Sequence, residues 1–102
     1  MTNKMNIKLT LTDNTLTIAP IGRLDSTTSD ELQEAISQHF TPNVAKLVFN
    51  LSEVDFISSK GLRVIVATYK SLNGRAMEIV NPNDSVKELF HLTGLANFFG
   101  IE

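Results

Sequence analysis

The chain contains no cysteine, which excludes disulfides and thiolate metal sites. It also lacks any apolar run long enough to span a bilayer. Its first residues, Met1-Thr2-Asn3-Lys4-Met5, do not form the apolar stretch of a secretory signal. The expectation is a cytoplasmic protein without membrane insertion. An excess of charge of one sign is missing too. Nine Lys and Arg stand against eleven Asp and Glu, for a formal charge of −2. The basic residues are scattered, which argues against a direct nucleic-acid surface.

Several catalytic signatures are absent. There is no Gly-x-Ser-x-Gly elbow and no histidine linked by motif to a serine. There is no Gly-x-x-x-x-Gly-Lys-Ser/Thr phosphate loop. The only histidines, His39 and His91, fall near the C-terminal ends of predicted helices and share no motif with a carboxylate, so no metal site is expected. Acidic pairs such as Asp30-Glu31 read as first-turn helix charges. Neither an enzyme nor a cofactor is expected.

What remains is an ordinary globular composition, 42% hydrophobic and 20% charged over 102 residues. That length suits a single domain with one modest core, taken here as residues 1–102. Ile7, Leu9 and Leu11 alternate with polar residues, as do Leu16 and Ile18. Asp13-Asn14 lies between the runs, which predicts a hairpin. Pro20 predicts an edge or a bulge at the end of the second strand. Thr28 and Glu31 are spaced as a capping box for a first helix with Leu32, Ala35, Ile36 and Phe40 on one face. Lys46 to Leu51 is short and continuously apolar, as in a buried strand.

A second helix is predicted from about Ser59 to Leu72, stopped by Asn73-Gly74. It is apolar over more than one face. Ala76 to Val80 reads as a strand. Ser85 and Glu88 offer a capping box for a third helix, and Phe98, Phe99 and Ile101 suggest a short last strand. The predicted order is β-β-α-β-α-β-α-(β), an α/β mixed sheet covered by helices.

The densest chemistry is Asp55-Phe56-Ile57-Ser58-Ser59-Lys60-Gly61-Leu62. Two hydroxyls sit where a helix begins. Unpaired backbone N–H groups and partial positive charge there stabilise an anion such as a phosphate on serine. The same residues also read as a plain serine N-cap with a glycine easing a turn. Asp25 has two readings as well. It serves as an Asx turn or cap at the first helix, or it stands beside the Ser59 junction, orienting a hydroxyl or the metal of a phosphate donor. The excess apolar surface of the second helix makes Arg63, Val64 and Ala67 candidates for a partner surface.

These residues resemble a known family. The chain is similar to STAS domains of the anti-sigma factor antagonist type over nearly its whole length. The resemblance rests on Gly22-Arg23-Leu24-Asp25, on Leu47-Val48-Phe49-Asn50-Leu51, on Val54 through Leu62, and more weakly on Leu92-Thr93-Gly94-Leu95. It implies a mixed sheet with helices and a phosphoacceptor serine at Ser59. It implies a switch region of Asp25, Ser58, Lys60 and Gly61. Two positions depart from the family pattern: Ser58 stands where an aspartate is usual, and Lys60 replaces a second hydroxyl, putting a cation beside the acceptor. The implied activity is binding, when unmodified, to an anti-sigma factor that is itself a serine kinase. Phosphorylation would release the protein, and a serine phosphatase would reset it. The alternative within the family is a non-switching docking subunit or regulator of a membrane transport ATPase complex.

Overall fold

A computed structural model describes residues 6–101. Met1 to Met5, including the residues tested above for a secretory signal, lie outside the described residues.

Strands β1 (Asn6–Thr12) and β2 (Thr15–Leu24) form the predicted antiparallel hairpin, with Leu9 opposite Ile18. Asp13 and Asn14 take φ of 51° and 64°. Positive φ at both central residues is what a two-residue turn matched to strand twist requires.

Strand β2 then serves as the spine of the sheet. On its other side, Thr15 to Ile18 pair in parallel with β3 (Lys46–Asn50), and Gly22 to Leu24 pair in parallel with β4 (Val54–Ile57). Strand β5 (Ala76–Val80) adds to β3, giving the order β1-β2-β3-β5 with β4 beside the end of β2. Pro20 is thus not on an edge strand. Its missing N–H falls between the stretch paired to β3 and the stretch paired to β4. The predicted irregularity is real but lies two residues on, as a register shift at Gly22/Arg23, where Gly22 takes a φ of 105°.

Among the described residues four helices complete the order: α1 (Ser26–His39), α2 (Ser59–Lys70), α3 (Asp84–Leu92) and α4 (Leu95–Phe98). The crossovers β2-α1-β3 and β3-β4-α2-β5 both advance in the same direction along the sheet. Right-handed connections of that kind set their helices on one face. The burial pattern agrees. Leu16, Ile18, Leu47, Phe49 and Ile79 point into the core with Leu32, Ile36, Leu62, Ile65, Val86 and Phe90. Their strand neighbours Thr17, Val48 and Glu78 do not, so β3 is buried on one face rather than two. That outer face carries the Lys46–Glu78 ion pair at 3.1 Å.

Three expectations are corrected. First, among the described residues no strand follows α3. Phe98, Phe99 and Ile101 belong to α4 and its exit, where Gly100 has a φ of 71° and Ile101 N–H donates to the Ala96 carbonyl at 2.7 Å. This closure, with glycine at the left-handed position, ends the helix. Second, the helices α1 and α3 start three and two residues earlier, respectively, than the capping boxes suggested. Asp25 and Asn83 are the N-caps, not Thr28 and Ser85. Third, β4 was not anticipated. Its burial runs buried, exposed, exposed, buried, without the alternation that marks a strand.

Candidate functional site

Strand β4 carries the chain alongside the end of β2 and releases it into α2. The Ser58 N–H donates to the Leu24 carbonyl at 2.8 Å, which pins the start of α2 to the end of β2. Ser58 is the N-cap, with extended backbone, and its Oγ accepts from the Gly61 N–H at 3.2 Å. Its carbonyl accepts from the Leu62 N–H at 3.0 Å. Ser59 is the first helical residue and is exposed. Among the described residues its hydroxyl has no hydrogen-bond partner. The two adjacent serines therefore differ in kind: Ser58 caps the helix, and Ser59 presents a free hydroxyl beside a positive helix end.

Gly61 lies where the helix rests on the strands. A Cβ there would sit 2.9 Å from Ile57 Cγ2, 3.1 Å from Leu24 Cβ and 3.2 Å from the Leu24 carbonyl oxygen. Its φ is not in the left-handed region. The requirement for glycine is close approach, not backbone strain.

Asp25 follows Leu24 directly and so stands next to this junction along the chain. Its Oδ1 accepts from the N–H groups of Thr27 and Thr28, each at 3.0 Å. The Asp25 N–H donates to Thr28 Oγ1 at 2.9 Å, completing a reciprocal box. The Thr28 N–H, then the Thr28 hydroxyl, hold the Asp25 carboxyl below its ordinary range. Of the two roles considered for Asp25, the cap of the first helix is the one these bonds perform.

Lys60 turns toward α1, where its Nζ meets Asp30 Oδ1 at 2.8 Å. The pair is 40% and 64% exposed, so solvent screens it and its contribution to stability is small.

The expected partner surface divides. Arg63 and Ala67 are exposed, but Val64 is only 6% exposed. The expectation that Val64 is presented to a partner is therefore corrected. Helix α1 lies alongside α2, and the second apolar face of α2 is spent on that contact. Between the helices runs a shallow groove of about 260 Å³ lined by Gln33, Lys60, Arg63, Val64 and Ala67. Val64→Ala is expected to lower stability by about 1–2 kcal/mol, the cost of removing buried methyl groups where the groove permits partial collapse. A thermal melt checks this. An unchanged melting temperature together with lost partner binding would return Val64 to the docking surface.

One feature near the junction was not assigned from sequence. A cleft of about 320 Å³ lies between β4 and α3, lined by Asp55, Phe56 and Ile57 on one side and Val86, Leu89 and Leu92 on the other. Phe56 is 41% exposed and Leu92 76% exposed. The Arg23 guanidinium covers the Phe56 ring at 4.4 Å from its centroid. The available signal was an aromatic residue directly after Asp55 in the stretch leading to the two serines. Its meaning depended on α3 lying beside β4, and Asn83 makes that contact by donating from Nδ2 to the Val54 carbonyl at 2.9 Å.

Among the described residues no group of three or more His, Asp or Glu forms a metal site, and no helix is long and apolar enough to cross a membrane. The His39 ring bonds the Ala35 carbonyl at 2.8 Å through Nδ1, as suits a helix C-terminus.

Comparison with known proteins adds the following. The family model described as STAS domain matches residues 6–102. An anti-sigma-B factor antagonist of Staphylococcus aureus is 30% identical over 99 residues, covering 95% of this chain and 92% of that protein. The crystal structure of an anti-sigma factor antagonist from Mycobacterium paratuberculosis superposes with a TM-score of 0.87 at 27% identity, covering 96% of this chain and 85% of that one. The anti-sigma factor antagonist SpoIIAA in its unphosphorylated form has a TM-score of 0.79 at 23% identity over 90% of this chain and 84% of its own, a likeness of fold.

Proposed function

The chain belongs to the STAS domain family, and from that premise we propose that it is an anti-sigma factor antagonist switched by phosphorylation of Ser59. Unmodified, it binds an anti-sigma factor that is also an ATP-using serine kinase, and a sigma factor is released. The Ser59 Oγ attacks the γ-phosphorus of ATP held by the kinase. The new O–P bond forms as the bond to the bridging oxygen of ADP breaks, and the hydroxyl proton passes to a base of the kinase. A separate serine phosphatase hydrolyses the ester to inorganic phosphate and restores the hydroxyl.

The physical basis is a change of charge at a docking surface. Burying a neutral hydroxyl against a partner costs far less than burying a charge. Phosphoserine adds roughly −1.5 to −2 charges there, and removing that charge from water without a partner cation is unfavourable. The observation that carries the reading is the division of labour at the α2 start, with Ser58 Oγ engaged by Gly61 N–H and the Ser59 hydroxyl exposed. Relatives named as anti-sigma factor antagonists support the choice of partner class.

Incubation with the kinase and ATP, followed by peptide mapping, tests the assignment. The expected result is phosphate on Ser59, with Ser58 unmodified or minor. Phosphate mapping mainly to Ser58 would move the acceptor by one residue. Absence of transfer to either serine would remove the switch.

A further inference from the structure

We propose that Arg63 is the residue of this chain that receives the phosphate on Ser59. The inference rests on the phosphoacceptor reading above and assigns the chain's own partner for the modification.

Two cations stand close to Ser59 in sequence, and they are not equivalent. Lys60 is the next residue, and consecutive helical residues do not face each other. Its ammonium is also held by Asp30 on α1, at 2.8 Å. Arg63 lies four residues beyond Ser59 on α2 and is exposed. Residues four apart on a helix share a face, with Cβ atoms about 5–6 Å apart. Helical side chains lean toward the helix N-terminus, so a long side chain at the later position covers the surface over the earlier one. The order is also the favourable one, with the anion N-terminal to the cation.

Chemistry reinforces the placement. Among the described residues the Arg63 side chain has no ion pair or hydrogen bond to give up. Its planar guanidinium matches two phosphate oxygens at once, which an ammonium does not. Arg63 therefore has two states. In the unmodified protein it is free on the exposed side of α2, available to a partner. In the modified protein it folds back over the phosphate. Phosphorylation then both adds an anion and withdraws a cation from the same face.

The test is a ³¹P NMR pH titration, at low salt, of the full chain with phosphoserine installed at position 59 by genetic encoding. No kinase is needed, so failure of the kinase to modify Ser59 and failure of this inference are separate results. A nearby cation favours the phosphate dianion and lowers its second ionisation. Arg63→Gln is expected to raise that ionisation by about 0.15–0.4 of a pH unit, as an i, i+4 ion pair implies. Arg63→Lys is expected to recover part of the effect, and Lys60→Gln to change it less than Arg63→Gln does. The other charged groups around this end of α2 include Arg23, which acts on Asp25 and lies over Phe56, and Asp25, Asp30 and Asp55; all variants share them, so the difference isolates the substituted cation. Unphosphorylated Arg63→Gln is expected to melt with the wild type, which separates phosphate capture from a structural role. An unchanged phosphate titration in Arg63→Gln, or a larger change in Lys60→Gln, would overturn the proposal.

Discussion

Replacing Ser59 with Asp is expected to cut affinity for the anti-sigma partner about a hundredfold while leaving the isolated domain folded. The two effects have different origins. At the first position of α2 a negative charge meets the positive end of the helix, which favours the fold by about 0.3–1 kcal/mol. The Ser58 cap is untouched, because its bond to Gly61 does not involve the substituted side chain. At a buried interface the same charge costs on the order of 3 kcal/mol if unpaired, which is roughly two powers of ten in the dissociation constant. Lys60 offers little relief while Asp30 holds it, and pairing with Arg63, four residues on, recovers only about 0.2–0.5 kcal/mol. Ser59→Ala should bind like the wild type and resist release by kinase and ATP. Calorimetry against the anti-sigma partner, beside thermal melts, separates stability from binding. Binding of Ser59→Asp within about threefold of wild type, less than 1 kcal/mol, would end the phospho-switch reading. It would put the docking subunit of a transport ATPase ahead.

The second large effect is expected at Gly61. Gly61→Val should destabilise the domain by about 3 kcal/mol, at the upper end of typical overpacking costs. Even the first carbon of the new side chain would stand 2.9 Å from Ile57 Cγ2 and 3.2 Å from the Leu24 carbonyl oxygen. Ile57 is able to change rotamer, but the Leu24 backbone is paired within the sheet and accepts the Ser58 N–H. Relief must come from lifting α2 off β2, which also breaks the bond that sets Ser59 in place. Ala67→Val, at an exposed position of the same helix, should cost about 0.5 kcal/mol in helix propensity. Thermal or denaturant unfolding of both variants decides. Equal stability of the two would show that the helix start shifts freely, and that Gly61 has no special role.

Much of the chain was legible from its residues alone, wherever the signal is local. The hairpin followed from alternation in β1 and β2 and from Asp13-Asn14. The start of α2 followed from Ser58-Ser59, while its end, expected at Leu72, falls at Lys70 with Ser71 as the C-cap, and β5 was read at its observed limits. The placement of two serines at a strand-to-helix junction was equally a local fact. Each of these is governed by backbone preference, or by a periodicity expressed within a few residues.

Other features belong to the tertiary structure. Strand β4 exists because Val54 to Ile57 find Gly22 to Leu24, some thirty residues earlier, and not because of any pattern of its own. Val64 is buried because α1 lies against α2. A helix apolar on two faces looks the same in sequence whether the second face meets solvent, a partner or another helix. Asp25 rather than Thr28 caps α1 because the chain leaves β2 at Leu24, where Ser58 takes its carbonyl. That Arg63 rather than Lys60 is left unpaired was decided by Asp30, on another helix. The residues determined which elements form and where the hydroxyls fall. Contacts between distant segments determined which side chains remain exposed, because burial is a property of what packs on a surface and is not encoded in that surface alone.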